Sequence, residues 1–290
     1  MTGIQRRDFL TGAVGLAGAV ALGACQPKGL GPIGGPGVRG ALDAPGRPGL
    51  MDERLYQQRI DQYLRFATTN VNLSPTGIAV QLIAAHRDPG YRWPIERATE
   101  ASLSGVWNQI DTWQDTRDFS LMYLHWVYAL GRGTTPSTKL DPGLLAAIKL
   151  RMLNNRYRYN DPNPLRRVDA QWFWSENHIV IGLVDEYLAG QQFPDDTFPI
   201  TGLTGRGHMA RPKGPILEWV MERAKFGFFE WHSHVYMLKN ITPLLTLVEL
   251  ADDPELVRAA AMALDLCLLD LAGHLQAGTY SASRGRTYKK

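Results

Sequence analysis

The sequence predicts an all-α fold, and three observations carry that expectation. From residue 52 onward, apolar residues recur at helical spacing, with charges between them. Strand-like alternation bounded by turns is scarce. The breaks between apolar segments are helix punctuation such as Asp88-Pro89-Gly90, Gly131-Arg132-Gly133 and Asp141-Pro142.

The elements follow in order. Asp52 to Ala67 places Leu55, Ile60, Tyr63, Leu64 and Ala67 near helical spacing, with charges between them. Thr76 to His86 is a second, short apolar helix, and Pro94 to Trp113 a third, with its proline in the tolerated first turn. Asp118 to Leu130 and Gly143 to Leu153 follow, the latter capped by Asp141. Later helices are expected over Trp172–Leu188, Pro215–Phe226, Tyr236–Leu250 and Pro254–Gln276. The last has Asp252 and Asp253 as its cap and Gly278 as its stop. It is apolar on most sides, as a helix enclosed by other helices would be. Long helices in pairs suggest stacked hairpins, either a solenoid or its closed form, the (α/α) toroid; a helical bundle is the alternative.

Three segments are expected: residues 1–24 as a leader, 25–50 as a tether, and 51–290 as the folded domain, with further helices or a β-rich domain missing beyond its end. Arg6-Arg7-Asp8-Phe9-Leu10 resembles a twin-arginine export signal, and Leu22-Gly23-Ala24-Cys25 resembles a lipobox. Together they imply passage through the twin-arginine machinery already folded, then anchorage to the lipid bilayer through acylated Cys25. The protein would be held at the cell envelope, on its periplasmic or extracellular face. The apolar run Leu10–Leu22 has thirteen residues, against about 20 needed to span a bilayer. Gln26 to Leu50 contains thirteen Gly and Pro in twenty-five residues, which reads as a flexible spacer.

Composition narrows the function classes. The formal charge is +3 on 290 residues and there is no run of Lys or Arg beyond the last two, which gives nucleic-acid binding little support. Cys267 is the only cysteine besides Cys25, so no disulfide forms within the mature chain; it sits in an apolar stretch as a core thiol.

Polar and aromatic residues concentrate in three islands between the helices. These are Trp172-Phe173-Trp174-Ser175-Glu176-Asn177-His178, Phe228 to Tyr236, and Tyr280 to Tyr288. Each falls at a helix end, where binding residues sit on a rigid scaffold. Glu176 and Glu230 are candidates for the paired carboxylates of a glycoside hydrolase, with Asp169 and Asp185 behind them. His232 and His234 point the same way if their segment is extended; with His178 and Glu230 or Glu176 they suit a divalent metal, while no cofactor is the leading expectation. Eight tryptophans and eleven tyrosines fit a sugar ligand, because flat rings stack on sugar faces. Trp107, Trp126 and Trp219 lie in apolar helical patterns and read as core; Trp172, Trp174 and Trp231 read as cleft.

The three motifs Trp-Ser-Glu-Asn-His, Glu-Trp-x-Ser-x-x-Tyr and Ser-Arg-Gly-Arg-x-Tyr resemble those of an uncharacterised family of exported bacterial proteins. The architecture of that family is similar to the (α/α) toroid domains of polysaccharide lyases and six-hairpin glycosidases. The resemblance covers Trp172 to Tyr288. It implies β-elimination on an acidic polysaccharide or oligosaccharide: Asn177 neutralising the carboxylate, His178 as base, Tyr236 as acid or base, and Arg284 or Arg286 as clamp. Trp174, Trp231, His232 and His234 would contact the sugar. A non-catalytic glycan-binding or envelope-scaffold lipoprotein is the alternative from a different class.

Overall fold

The protein is all-α. A computed structural model describes residues 53–69, 71–276, 279–280 and 282; the leader, the tether, Cys25, Gly278, Arg284 and Arg286 lie outside the described residues. Nine α-helices are described: α1 Glu53–Thr68, α2 Pro75–Arg87, α3 Ser104–Asp111, α4 Arg117–Leu130, α5 Pro142–Asn154, α6 Glu176–Gln192, α7 Gly205–Phe226, α8 Tyr236–Leu250 and α9 Pro254–Gly273. Leu275–Gln276 (β1) and Thr279–Tyr280 (β2) form a two-residue antiparallel pair. None of the described helices is long and apolar enough to cross a membrane.

The chain divides into two units. One ends at Asn108 and resumes over Tyr123–Leu150; the other comprises Gln109–Met122 and the chain from Arg151 onward, so the division falls within α4. In the first unit α1 packs on α2. Ser74 caps α2 by accepting from the Gly77 N–H at 3.2 Å, with Pro75 in the first turn. Ile60, Ile78, Leu82, Ile83, Leu124, Leu144 and Ile148 fill its core. The indoles of Trp93 and Trp107 each donate to a backbone carbonyl, Ser137 O and Glu100 O respectively. A buried polar tip needs such a partner.

The second unit carries the polar islands. Helix α6 packs on α7 and α8, and α9 packs on the same two, so each of the four touches two neighbours. This is the contact pattern of two hairpins, α6–α7 and α8–α9, laid side by side. Their shared interior is built from Val180, Ile181, Val184, Leu188, Ile216, Ile241, Leu244, Leu256, Ala260, Leu264 and Cys267, all essentially without solvent contact. Burial pushes the Cys267 thiol well above its ordinary pKa, as expected of an inert core thiol. Glycines bring α6 and α7 together: a Cβ on Gly190 would stand 2.4 Å from Gly205 O, and one on Gly205 would stand 2.0 Å from Phe193 O.

Several expectations need correction. The segment Pro94–Trp113 is broken into two 3₁₀ turns, Ile95–Arg97 and Ala101–Leu103, before α3. There the Ser102 hydroxyl donates to Thr99 O and accepts from Thr99 N–H, a local alternative to the helical ladder. Helix α6 starts at Glu176, leaving Trp172–Trp174 in loop. Helix α7 starts ten residues before the expected Pro215 and runs through Pro212 and Pro215. Helix α9 stops at Gly273 and is not enclosed: Met262, Leu266 and Leu269, spaced 4 and 3, are 58%, 37% and 69% exposed.

Candidate functional site

The first turn of α6 is the focus. Successive helical residues point about 100° apart, so Glu176, Asn177 and His178 reach three different partners, and all three are buried. Ser175 precedes them in extended conformation without a side-chain cap bond, and its hydroxyl is buried without a hydrogen-bond partner.

Glu176 is bonded on both oxygens. Oε1 accepts from Arg223 Nη1 at 2.8 Å and Phe229 N–H at 3.0 Å; Oε2 accepts from Glu230 N–H at 3.0 Å and Asn240 Nδ2 at 3.2 Å. Its side chain is 1% exposed. Arg223 lies over the rings of Trp219 and Phe229. Asn177 donates through Nδ2 to Glu230 Oε2 at 2.7 Å and has no solvent contact. The first and second islands are therefore joined by direct bonds. These bonds use up the acceptor capacity that a glycosidase would need on Glu176, and they turn the Asn177 amide toward Glu230.

His178 is disposed differently. Its Nδ1 lies 2.5 Å from Asp118 Oδ2, while Asp118 Oδ1 accepts from Phe119 N–H at 2.9 Å. The short contact assigns the Nδ1 proton to the Asp118 bond. The Gln171 amide lies against the same nitrogen at 2.9 Å. With Nδ1 protonated, Nε2 is the basic nitrogen, and it has no hydrogen-bond partner among the described residues. A carboxylate that fixes tautomer and ring orientation, leaving Nε2 open, is the arrangement of an oriented base. The ring is further held by Phe119, parallel within 9° at a centroid distance of 4.8 Å.

His178 lines a small recess with Arg117, Asp118, Asn155, Arg156, Tyr157, Gln171, Phe173, Gly182 and Asp185. Two guanidiniums frame it. Arg117, 1% exposed, donates to Asn155 Oδ1 at 3.1 Å, to Arg156 O at 3.1 Å, and to Asp169 at 2.6 and 3.1 Å. Arg156 adds a bond to Asp169 Oδ2 at 2.8 Å. Burial pushes the Asp169 carboxyl up, but hydrogen bonds and charge from the two arginines outweigh it and hold the group below its ordinary range. At the back of the recess, burial and then the Asp118 charge push the Asp185 carboxyl well above its ordinary value.

Three rings of the neighbouring loop segments are exposed: Trp172 at 56%, Trp174 at 58% and Tyr159 at 53%, the last two with centroids 4.4 Å apart. Trp107, Trp126 and Trp219 are buried, as expected of core. Trp231 and His232 belong to a separate group. His232 lies 3.9 Å from His274 and 6.3 Å from Tyr280 by ring centroids, so the second and third islands meet there. His232 has φ 52°, so the His-Ser-His segment turns where the metal geometry required it to extend. Among the described residues no group of three His, Cys, Asp or Glu is placed to hold a metal ion. His274 Nδ1 donates to the Asp270 carbonyl at 2.7 Å. Tyr236 opens α8, half-buried, its N–H on Ser233 Oγ at 3.2 Å.

Sequence reasoning missed Arg117, Asp118, Asn155, Arg156 and Gln171. The available signal was the Arg-Asp pair at the start of an apolar helix. No family model, curated protein or solved structure matches the chain.

Proposed function

We propose that the protein is an exported, lipid-anchored catalyst that cleaves an acidic polysaccharide by β-elimination, with His178 as its base. The observation that carries this is the Asp118–His178 pair, whose Nε2 is unpartnered at a recess framed by arginines. The resemblance to toroid lyases supplies the substrate class. In the reaction His178 Nε2 takes the proton on C5 of a uronate, the electron pair forms the C4–C5 double bond, and the C4–O bond breaks. Tyr236 returns a proton to the departing oxygen. Asp118 steadies the imidazolium as it forms. Glu176 and Asn177 hold the two islands together, which moves them from chemistry to support.

The test is a panel of acidic polysaccharides scored for new ultraviolet-absorbing unsaturated ends. Turnover should fall at least about a hundredfold in His178→Ala, the usual worth of a positioned base, and nearly as far in Asp118→Asn. Full turnover in both variants would end the proposal. The exposed Trp172, Trp174 and Tyr159 rings favour a second reading, a glycan binder without catalysis. It predicts saturable binding lost in Trp174→Ala, with no bond cleaved by any form.

A further inference from the structure

We propose that the outer face of α9 is the contact through which two copies of this chain pair, antiparallel, about a two-fold axis beside Met262. The inference stands on the surface of α9 and is independent of the acid–base reading of His178. Helix α9 packs on α7 and α8. Away from its buried residues it carries Pro254, Arg258, Met262, Asp265 and Leu269, all exposed, Met262 at 58% and Leu269 at 69%. At 100° per residue the five lie within about 80° of one another, with Leu266 on the flank. Single exposed apolar residues are ordinary, whereas a stripe of them along one helix marks a contact surface.

The order of residues along the stripe identifies the partner. From its N-terminal end it runs apolar, basic, apolar, acidic, apolar. An antiparallel copy of the same helix therefore sets each arginine opposite an aspartate, and a parallel copy sets like charges together. The midpoint of Arg258 and Asp265 falls between Ala261 and Met262, and so does the midpoint of Pro254 and Leu269. One axis thus serves both pairs. Met262 meets its own copy, Arg258 meets the partner's Asp265, and Leu269 meets the partner's Pro254. Such self-complementarity is what a two-fold contact requires, because both copies use the same patch. Arg258 has no ion pair or hydrogen bond among the described residues. Glu255, at the edge of the stripe, is already paired with Lys213 at 3.0 Å. A single pair of helices makes a small interface, so the association is of micromolar strength, with apolar burial driving it and the charges fixing its direction.

The test is a set of cysteine variants of the full chain, mildly oxidised and scored for covalent dimer by mass. A disulfide needs Cβ atoms about 4 Å apart, so Met262→Cys should cross-link to itself. Leu269→Cys should not, because its two copies lie about 22 Å apart along the helices; mixed with Pro254→Cys it should. Leu150→Cys, exposed on α5, sets the background, and native Cys267 is buried. In sedimentation over about 1–100 µM, Arg258→Glu should weaken dimerisation about tenfold or more, and Arg258→Glu combined with Asp265→Arg should restore it. All these positions are exposed, so each variant should keep the native circular dichroism. A monomer at every concentration, self-cross-linking of Leu269→Cys, Met262→Cys no better than Leu150→Cys, or no rescue by the charge exchange would overturn the proposal. So would a monomeric Met262→Cys whose thiol resists alkylation, since another partner or the chain itself would then cover the stripe.

Discussion

Glu176 and Asp185 are both buried carboxyls on α6, and their surroundings give them opposite behaviour. Glu176 has four donors, one of them the guanidinium of Arg223, itself 3% exposed. Glu176→Ala would leave Arg223 with only the half-exposed Glu222 at 3.2 Å and remove the acceptor of three further donors, so it should lower the unfolding free energy by about 3–5 kcal/mol in denaturant titration. Loss below about 1 kcal/mol would show that the site relaxes around the gap. Asp185 has its folded pKa raised, chiefly by burial. A raised carboxyl adds stability below its unfolded value of about 3.9, and that contribution is lost as pH climbs through the folded value. Asp185→Asn cannot ionise. Relative to the variant, the native protein should therefore lose stability as pH rises from the acid range through neutrality. Parallel pH profiles would contradict the burial argument. Both groups stood in the sequence as candidate catalytic carboxylates; nothing at that level could separate them, because the donors of Glu176 lie 47 to 64 residues away.

At the scale of elements, local signals were most legible where packing agrees with them. Helix α8 runs over Tyr236–Leu250 as its periodicity predicts, despite Pro243 inside it. The cap of α9 also forms as read, with Asp253 accepting from the N–H groups of Glu255 and Leu256. Helix α7 was only half visible, because Gly205, Gly207, Gly214, Pro212 and Pro215 all argue against a helix. Its start is decided by contact with α6, where Gly190 and Gly205 let the backbones meet. Gly190→Ala should therefore cost about 1–3 kcal/mol through overpacking, although alanine is the better helix former. A gain in thermal midpoint would mean that the helices can part without penalty.

At the scale of the whole molecule, the all-α class was legible from periodicity. The site was legible only in part. Its histidine announced itself in an aromatic, polar island, whereas Arg117 and Asp118 looked like any helix start. The partner that orients His178 comes from 60 residues upstream, a relation that one chain does not encode in its spacing. The proposed address belongs to this scale as well, and it rests on sequence: twin arginines, a short apolar run and Cys25. Cys25→Ser should release the protein from the membrane fraction, and incorporation of a labelled fatty acid should disappear with it. Replacing Arg6 and Arg7 by lysines should leave folded precursor in the cytoplasm. Unchanged export in that variant would exclude the twin-arginine route.

The bonds around Glu176 also set an order in time. Its partners Arg223, Phe229, Glu230 and Asn240 are all remote along the chain, so none can arrive until long loops have closed, each with an entropic penalty that grows with loop length. Until then the carboxylate keeps its water, and the first turn of α6 has no reason to settle. His178, two residues further along the same helix, meets Asp118 only when a loop of 60 residues has closed. A chain caught partway through folding would hold helices and a growing core, yet the proposed base would still lack the carboxylate that orients it.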